Sequence, residues 1–153
     1  MFEKMVLAGV GLICGSLALD MRRLKLVDEI VGYGRSEANL KVAKKKGVID
    51  SYFSRPEEFP GGVDFLMIGT PVETIVPLTM SFLPGLEAGL IVSDVGSVKG
   101  GIVRGMTKVL PKDIYFVAGH PIAGSEQWGA RAARQNLFVG HRTGLTPTRN
   151  TNK

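Results

Sequence analysis

Short, continuous apolar runs alternate with segments of helical period along nearly the whole chain, and this alternation constrains the fold more than any other feature. Residues 5–8 read as a buried strand and residues 12–24 as the helix that follows it. Residues 29–33 form a second expected strand, after which Ser36 is placed to cap a helix that runs to about Lys46 and stops at Gly47. Residues 63–68 predict a third strand, and residues 72–83 a helix that must bend or begin again around Pro77. A fourth strand at 90–94, a helix at 99–109 and a fifth strand at 114–118 follow, with 143–145 one more short strand at the far end. The stretch 55–62, holding two prolines and two glycines, reads as a loop. Unbroken apolar strands suit a sheet covered on both faces. Their alternation with helices implies right-handed crossovers and an α/β, doubly wound, mostly parallel sheet. A chain of 153 residues builds one such core, so a single domain is expected.

Composition narrows the classes of function. The net charge of +5 suits anionic small molecules but is too diffuse to indicate nucleic acid. Its one concentrated run, Lys44-Lys45-Lys46, falls where a helix should end and complements the helix dipole there better than it suggests a phosphate patch. One cysteine excludes an internal disulfide and a cysteine-only metal cluster, and no metal site is expected. Cys14 lies in an apolar segment and reads as a small packed residue rather than a nucleophile. The apolar run after Met1 breaks at Gly9, too soon for a signal peptide or membrane span, so a cytoplasmic protein is expected.

Gly9-Val10-Gly11-Leu12-Ile13-Cys14-Gly15 nearly completes a G-x-G-x-x-G fingerprint between the first strand and first helix. Gly9 would turn the chain out of the strand. Gly11 would let the backbone approach a pyrophosphate seated on the amides that open the helix, with Leu12 and Ile13 in its first turn. Cys14 stands at the third position, where glycine or alanine lets helix and strand pack closely, and Gly15 beside it offers relief. These residues make the sheet Rossmann-type. At the end of the second strand an acid would bind the ribose of NAD, and here Gly34 holds that place, followed by Arg35 and Ser36. Room, a guanidinium fork and a hydroxyl together favour NADP, with NAD the alternative. Thr70-Pro71, Gly96-Ser97 and His120 also fall just after expected strands, so all converge on one crevice.

His120 lies between Gly119 and Pro121, with Gly124, Ser125 and Glu126 just downstream. Proline fixes its own φ and biases the residue before it away from helix, which stiffens the backbone that presents the imidazole. An imidazole so held suits polarising or deprotonating a substrate hydroxyl. Trp128 reads as a partly buried anchor and His141 as a surface residue.

With these pieces in place the chain resembles the N-terminal domain of prephenate and arogenate dehydrogenases. The likeness runs through residues 9–18, Asp94-Val95-Gly96-Ser97-Val98-Lys99, the block 119–126, Leu137-Phe138 and Leu145-Thr146-Pro147-Thr148, in the family's order. Other small Rossmann reductases share the glycine turn but not the 119–126 block. The resemblance implies an oxidative decarboxylation: hydride passes from the hydroxyl-bearing ring carbon to the nicotinamide, the ring carboxylate leaves as carbon dioxide, and the ring becomes aromatic. It implies His120 as the group that accepts the hydroxyl proton and Ser97 as the serine that holds His120 or the hydroxyl. Ser125 and Glu126 would lie near the substrate side chain. It further implies a nucleotide-binding domain over 1–148, a linker at 149–153 and a helical dimerisation domain beyond the present sequence. A fragment of this kind would bind cofactor and leave turnover, and the homodimer, to the complete enzyme. A dinucleotide-binding module without chemistry is the remaining alternative.

Overall fold

The alternating runs assemble into one seven-stranded sheet in a computed structural model that describes residues 1–148 and Thr151. Eleven elements define it: β1 (Phe2–Ala8), α1 (Leu12–Arg23), β2 (Val27–Tyr33), α2 (Glu37–Lys45), β3 (Ser51–Phe53), β4 (Phe65–Ile68), α3 (Val72–Phe82), β5 (Ile91–Asp94), α4 (Lys99–Val109), β6 (Tyr115–Ile122) and β7 (Arg142–Thr146). The spatial order is β3-β2-β1-β4-β5-β6-β7, parallel throughout except for the antiparallel pair β6–β7. The chain moves outward from β1 to β3, then returns to the other side of β1, which makes the gap between β1 and β4 the point where the winding reverses. The expectation of a single doubly wound α/β domain holds. Of the expected linker, residues 149, 150, 152 and 153 lie outside the described residues.

Both faces of the sheet are covered, and β1 shows why its sequence is apolar without alternation. Met5 and Leu7 join a cluster with Cys14, Ala18, Leu40 and Ala43 from α1 and α2. Val6 and Ala8 point the other way, into a cluster with Ile75, Phe82, Ile102 and Met106 from α3 and α4. With side chains alternating across the sheet, every residue of such a strand meets a core.

Several elements depart from the sequence reading. β3 was not expected: three residues are too few to show a period, yet they pair with β2 from Val31↔Ser51 to Tyr33↔Phe53. α3 runs through Pro77 without beginning again. Pro77 and Glu73, whose carbonyl loses its donor, both lie on the exposed side of the helix, where solvent can serve that carbonyl. β6 continues past Ala118 to Ile122 and so takes in His120 and Pro121, which pair with Gly144 and Thr143 of β7. The β5 pairing stops at Ala118, so Pro121 meets a neighbour on one side only, a place where a strand tolerates proline.

Candidate functional site: a nucleotide cleft and a clamped histidine

The strand register sets the site. Ala8, Ile68, Asp94 and Ala118 are paired neighbours across β1, β4, β5 and β6, so the turns that follow β1, β4 and β5 and the continuation of β6 past Ala118 lie along one edge of the sheet. At the centre of that edge the turns after β1 and β4 touch. Gly9 has φ +96°, and a Cβ there would lie 2.9 Å from the Gly69 carbonyl carbon and oxygen. A Cβ on Gly69 would in turn run into the Cys14 sulfur. The cysteine at the third fingerprint position is thus accommodated by Gly69, while Gly15 faces elsewhere: a Cβ on it would meet the Ala133 Cβ at 2.7 Å. Burial pushes the Cys14 thiol up to about 12, so it stays protonated and packs as an apolar group.

Gly11 caps α1 with φ −110°, and a Cβ built there meets nothing within 4 Å. Neither backbone conformation nor internal packing requires glycine at this position. A ligand approaching the backbone from outside would. A cleft of about 550 Å³ opens here, lined by Gly9, Val10, Gly11, Tyr33, Gly34, Arg35, Ser36, Asn39, Gly69, Thr70, Pro71, Thr74, Leu78, Trp128 and Gly129. It gathers all the expected cofactor residues except Leu12, which is buried in the first turn of α1, and Ile13, whose Cδ1 lies 3.9 Å from where a Cβ on Gly124 would be. The Thr70 hydroxyl oxygen is buried in this wall without a hydrogen-bond partner, an expensive condition that a ligand oxygen would relieve. A Cβ on Gly34 would make ordinary contact with Leu40 at 3.5 Å, so a larger residue would fit there. Ser36 caps α2 as expected, its Oγ accepting from the Asn39 N–H at 3.3 Å. Arg35 is exposed and makes no ion pair among the described residues.

Toward β6 a buried carboxylate organises the edge. The Asp94 side chain is fully buried and accepts from the Gly96 N–H at 2.9 Å, the Gly119 N–H at 3.3 Å and the Lys99 ammonium. Lys99 also donates to the Gly119 carbonyl. One ion pair therefore holds the turn that carries Ser97 and the strand segment that carries His120. Glycine is required beside it, because a Cβ on Gly119 would lie 2.9 Å from the Asp94 carbonyl oxygen and one on Gly96 3.0 Å from Oδ2. Ser97 is exposed and His120 half-buried. Ser125 and Glu126 lie farther along, both exposed, on the connection between β6 and β7, where the Ser125 hydroxyl accepts from the Gln127 N–H at 3.3 Å.

That connection folds back over α1 and α2 through contacts the sequence did not announce. The Ala130 N–H donates to Asn39 Oδ1 at 2.8 Å, and Asn39 Nδ2 donates to the Val10 carbonyl at 2.8 Å. Ser16 and Asp20 accept from the amides of Arg134 and Asn136. Lys46, expected to serve the helix dipole, reaches instead to the carbonyls of Ala130, Arg131 and Ala133 at 3.3, 2.8 and 3.1 Å. Trp128 is not the partly buried anchor expected: it is 88% exposed, because the following residues, not the indole, make the attachment. His141 is on the surface as expected. Among the described residues no helix is long and apolar enough to cross a membrane, and no three His, Cys, Asp or Glu side chains are grouped to hold a metal ion.

A glycine turn at the switch point of a parallel sheet, opening on a cleft with an orphaned hydroxyl, is the chemistry of a Rossmann-type nucleotide-binding domain. The chain belongs to the prephenate dehydrogenase nucleotide-binding domain family, whose model matches residues 17–153. It is 40% identical to the prephenate dehydrogenase of Bacillus subtilis, over all of this chain and 42% of that protein. Among solved structures, prephenate dehydrogenase of Aquifex aeolicus with hydroxyphenyl propionate and NAD+ superposes with TM-score 0.92 at 33% identity, covering 99% of this chain and 53% of the other. Synechocystis arogenate dehydrogenase gives TM-score 0.87 at 31% identity, covering 97% and 51%. The chain thus spans about half or less of the length of these relatives.

Replacing Lys99 with Met is expected to leave the Asp94 carboxylate buried without its cation. Urea unfolding should show a loss of about 3–5 kcal/mol, and hydrogen exchange at the Gly119 amide should accelerate. A loss below about 1 kcal/mol, as for a solvated pair, would show that the clamp does not hold this edge.

Proposed function

We propose that this chain is the dinucleotide-binding part of a dehydrogenase that oxidatively decarboxylates prephenate to 4-hydroxyphenylpyruvate in the route to tyrosine, with arogenate the alternative substrate. The observation that carries the reading is His120, fixed through Gly119 to the buried Asp94–Lys99 pair, on the same sheet edge as the glycine turn. The relatives' names support the choice of reaction, and the Aquifex complex with NAD+ supports the class of cofactor.

The residues present fit such a cofactor. Gly9 and Gly11, with the amides of Leu12 and Ile13, would take the pyrophosphate, and Thr70-Pro71, in the same cleft, would supply the buried hydroxyl. Gly34, Arg35 and Ser36 would hold the adenosine ribose and favour NADP over NAD. When bound, the nicotinamide supplies the hydride acceptor. The protein positions the reactants and handles one proton, because aromatisation of the ring already makes the reaction favourable. His120 accepts the substrate hydroxyl proton, and Ser97 holds that hydroxyl or the imidazole. Ser125 and Glu126 line the approach of the substrate side chain.

The part that completes the site is supplied by an enzyme of about twice this length, through whose remainder it also dimerises. A cytoplasmic setting, in which the buried Cys14 thiol stays reduced, belongs to the same reading.

In an enzyme that joins this domain to such a remainder, His120→Asn should lower kcat by about 10²–10⁴-fold with little change in cofactor affinity. Near-normal turnover would contradict the role. Arg35→Ala is expected to weaken NADP about ten- to a hundredfold, the scale of a charge-assisted hydrogen bond, and to leave NAD nearly unaffected. Calorimetric titration of both dinucleotides decides it, and a wild-type preference for NAD would overturn the NADP assignment.

A further inference from the structure

Among the described residues Trp128 is the one exposed Phe, Tyr or Trp side chain: it is 88% exposed, while the others are buried or half-buried. Its backbone is nevertheless fixed. The Gln127 N–H on one side donates to Ser125 Oγ. On the other side Gly129 takes φ +78°, and the Ala130 N–H donates to Asn39. Asn39 also binds the carbonyl of Val10, so the indole is carried on backbone tied both to α2 and to the glycine turn. Trp128 is part of the wall of the nucleotide cleft, with Arg35, Ser36 and Asn39. A large apolar side chain held in water at a set place adds nothing to the core, whereas at the lip of a ligand cleft it gains a surface to cover.

We infer that Trp128 is a cofactor-binding residue whose indole packs on the adenosine half of the dinucleotide. The inference rests on the dinucleotide reading above and adds to it a residue outside the glycine turn and the end of β2. The adenosine half is indicated by its neighbours. Arg35, Ser36 and Asn39 belong to the end of β2 and the start of α2, the region that receives the adenosine ribose in sheets of this kind, whereas Ser97 and His120 are not part of this wall. An indole offers a flat face to a purine, and its hold depends on area and stacking rather than on a hydrogen bond.

Trp128 is the only tryptophan, so the fluorescence of the chain reports on it alone. The test titrates the 153-residue chain with ADP-ribose and with 2′,5′-ADP, the adenosine portions of the two dinucleotides. Calorimetry follows binding, and acrylamide quenching follows access to the indole. Whichever of the two binds is expected to reduce quenching severalfold, while nicotinamide mononucleotide leaves it unchanged. W128A should weaken that ligand roughly tenfold, with W128F retaining most of the affinity. Both variants should keep the wild-type circular dichroism, since the ring packs against little. Binding with unchanged quenching, or wild-type affinity in W128A, overturns the role of Trp128 and leaves the dinucleotide site standing. Binding of neither compound, nor of NAD or NADP, overturns the dinucleotide reading and this inference with it. Shielding that follows protein concentration instead of ligand overturns the inference in favour of contact between copies.

Discussion

The close approach of the turns after β1 and β4 is the constraint on which the rest of this edge depends. β1 and β4 pair in register to Ala8 and Ile68, and the next residues, Gly9 and Gly69, come so near that a Cβ on Gly9 would lie 2.9 Å from the Gly69 carbonyl. The Gly69 N–H donates to the Ala8 carbonyl at 2.7 Å, which closes the gap from the other side. With no side chains between them, the two turns leave the backbone and the first amides of α1 facing outward at the switch point of the sheet. Cys14 is part of the same arrangement. Its sulfur fills the space that a side chain at Gly69 would need, so the unusual third position of the fingerprint and the glycine after β4 are one packing solution.

The Asp94–Lys99 pair performs the corresponding task two strands away. Burying a carboxylate and an ammonium costs desolvation that their attraction offsets only with good geometry and further hydrogen bonds. Here the carboxylate has amides from Gly96 and Gly119 as well as the lysine, and the lysine has the Gly119 carbonyl. An apolar pair of similar volume would serve the core as well, but it would not fix the hydrogen-bonding groups of the chain on either side of Ser97 and before His120. That positioning is what the polar pair contributes.

Much of this was legible in the sequence because the central strands are buried on both faces, which writes them as unbroken apolar runs, and because the turns need glycine where backbones meet. β3 and the extension of β6 were not legible: the first is too short to carry a period, and the second exists only because β7 returns antiparallel beside it. Asp94 carried a signal, an acid closing an apolar strand with a lysine five residues on, but its partnership with Gly119 spans 25 residues. The same holds for Lys46 and Asn39, whose partners at Ala130 lie 84 and 91 residues away and belong to a connection with no regular pattern. Trp128 was misread because size and apolar character argue for burial, while its exposure follows from where its neighbours are attached.

The central claim is that one edge of the sheet binds a dinucleotide from the turn after β1 across to the segment holding His120. Amide chemical shifts of the isotopically labelled chain, recorded with and without NADP and NAD, test it most directly. The account requires the largest changes at Gly11, Leu12 and Ile13, further changes at Arg35, Ser36 and Thr70, and a separate group at Ser97 and His120 that 2′,5′-ADP alone does not produce. Changes confined to other surfaces, or spectra that neither dinucleotide alters at millimolar concentration, would contradict it.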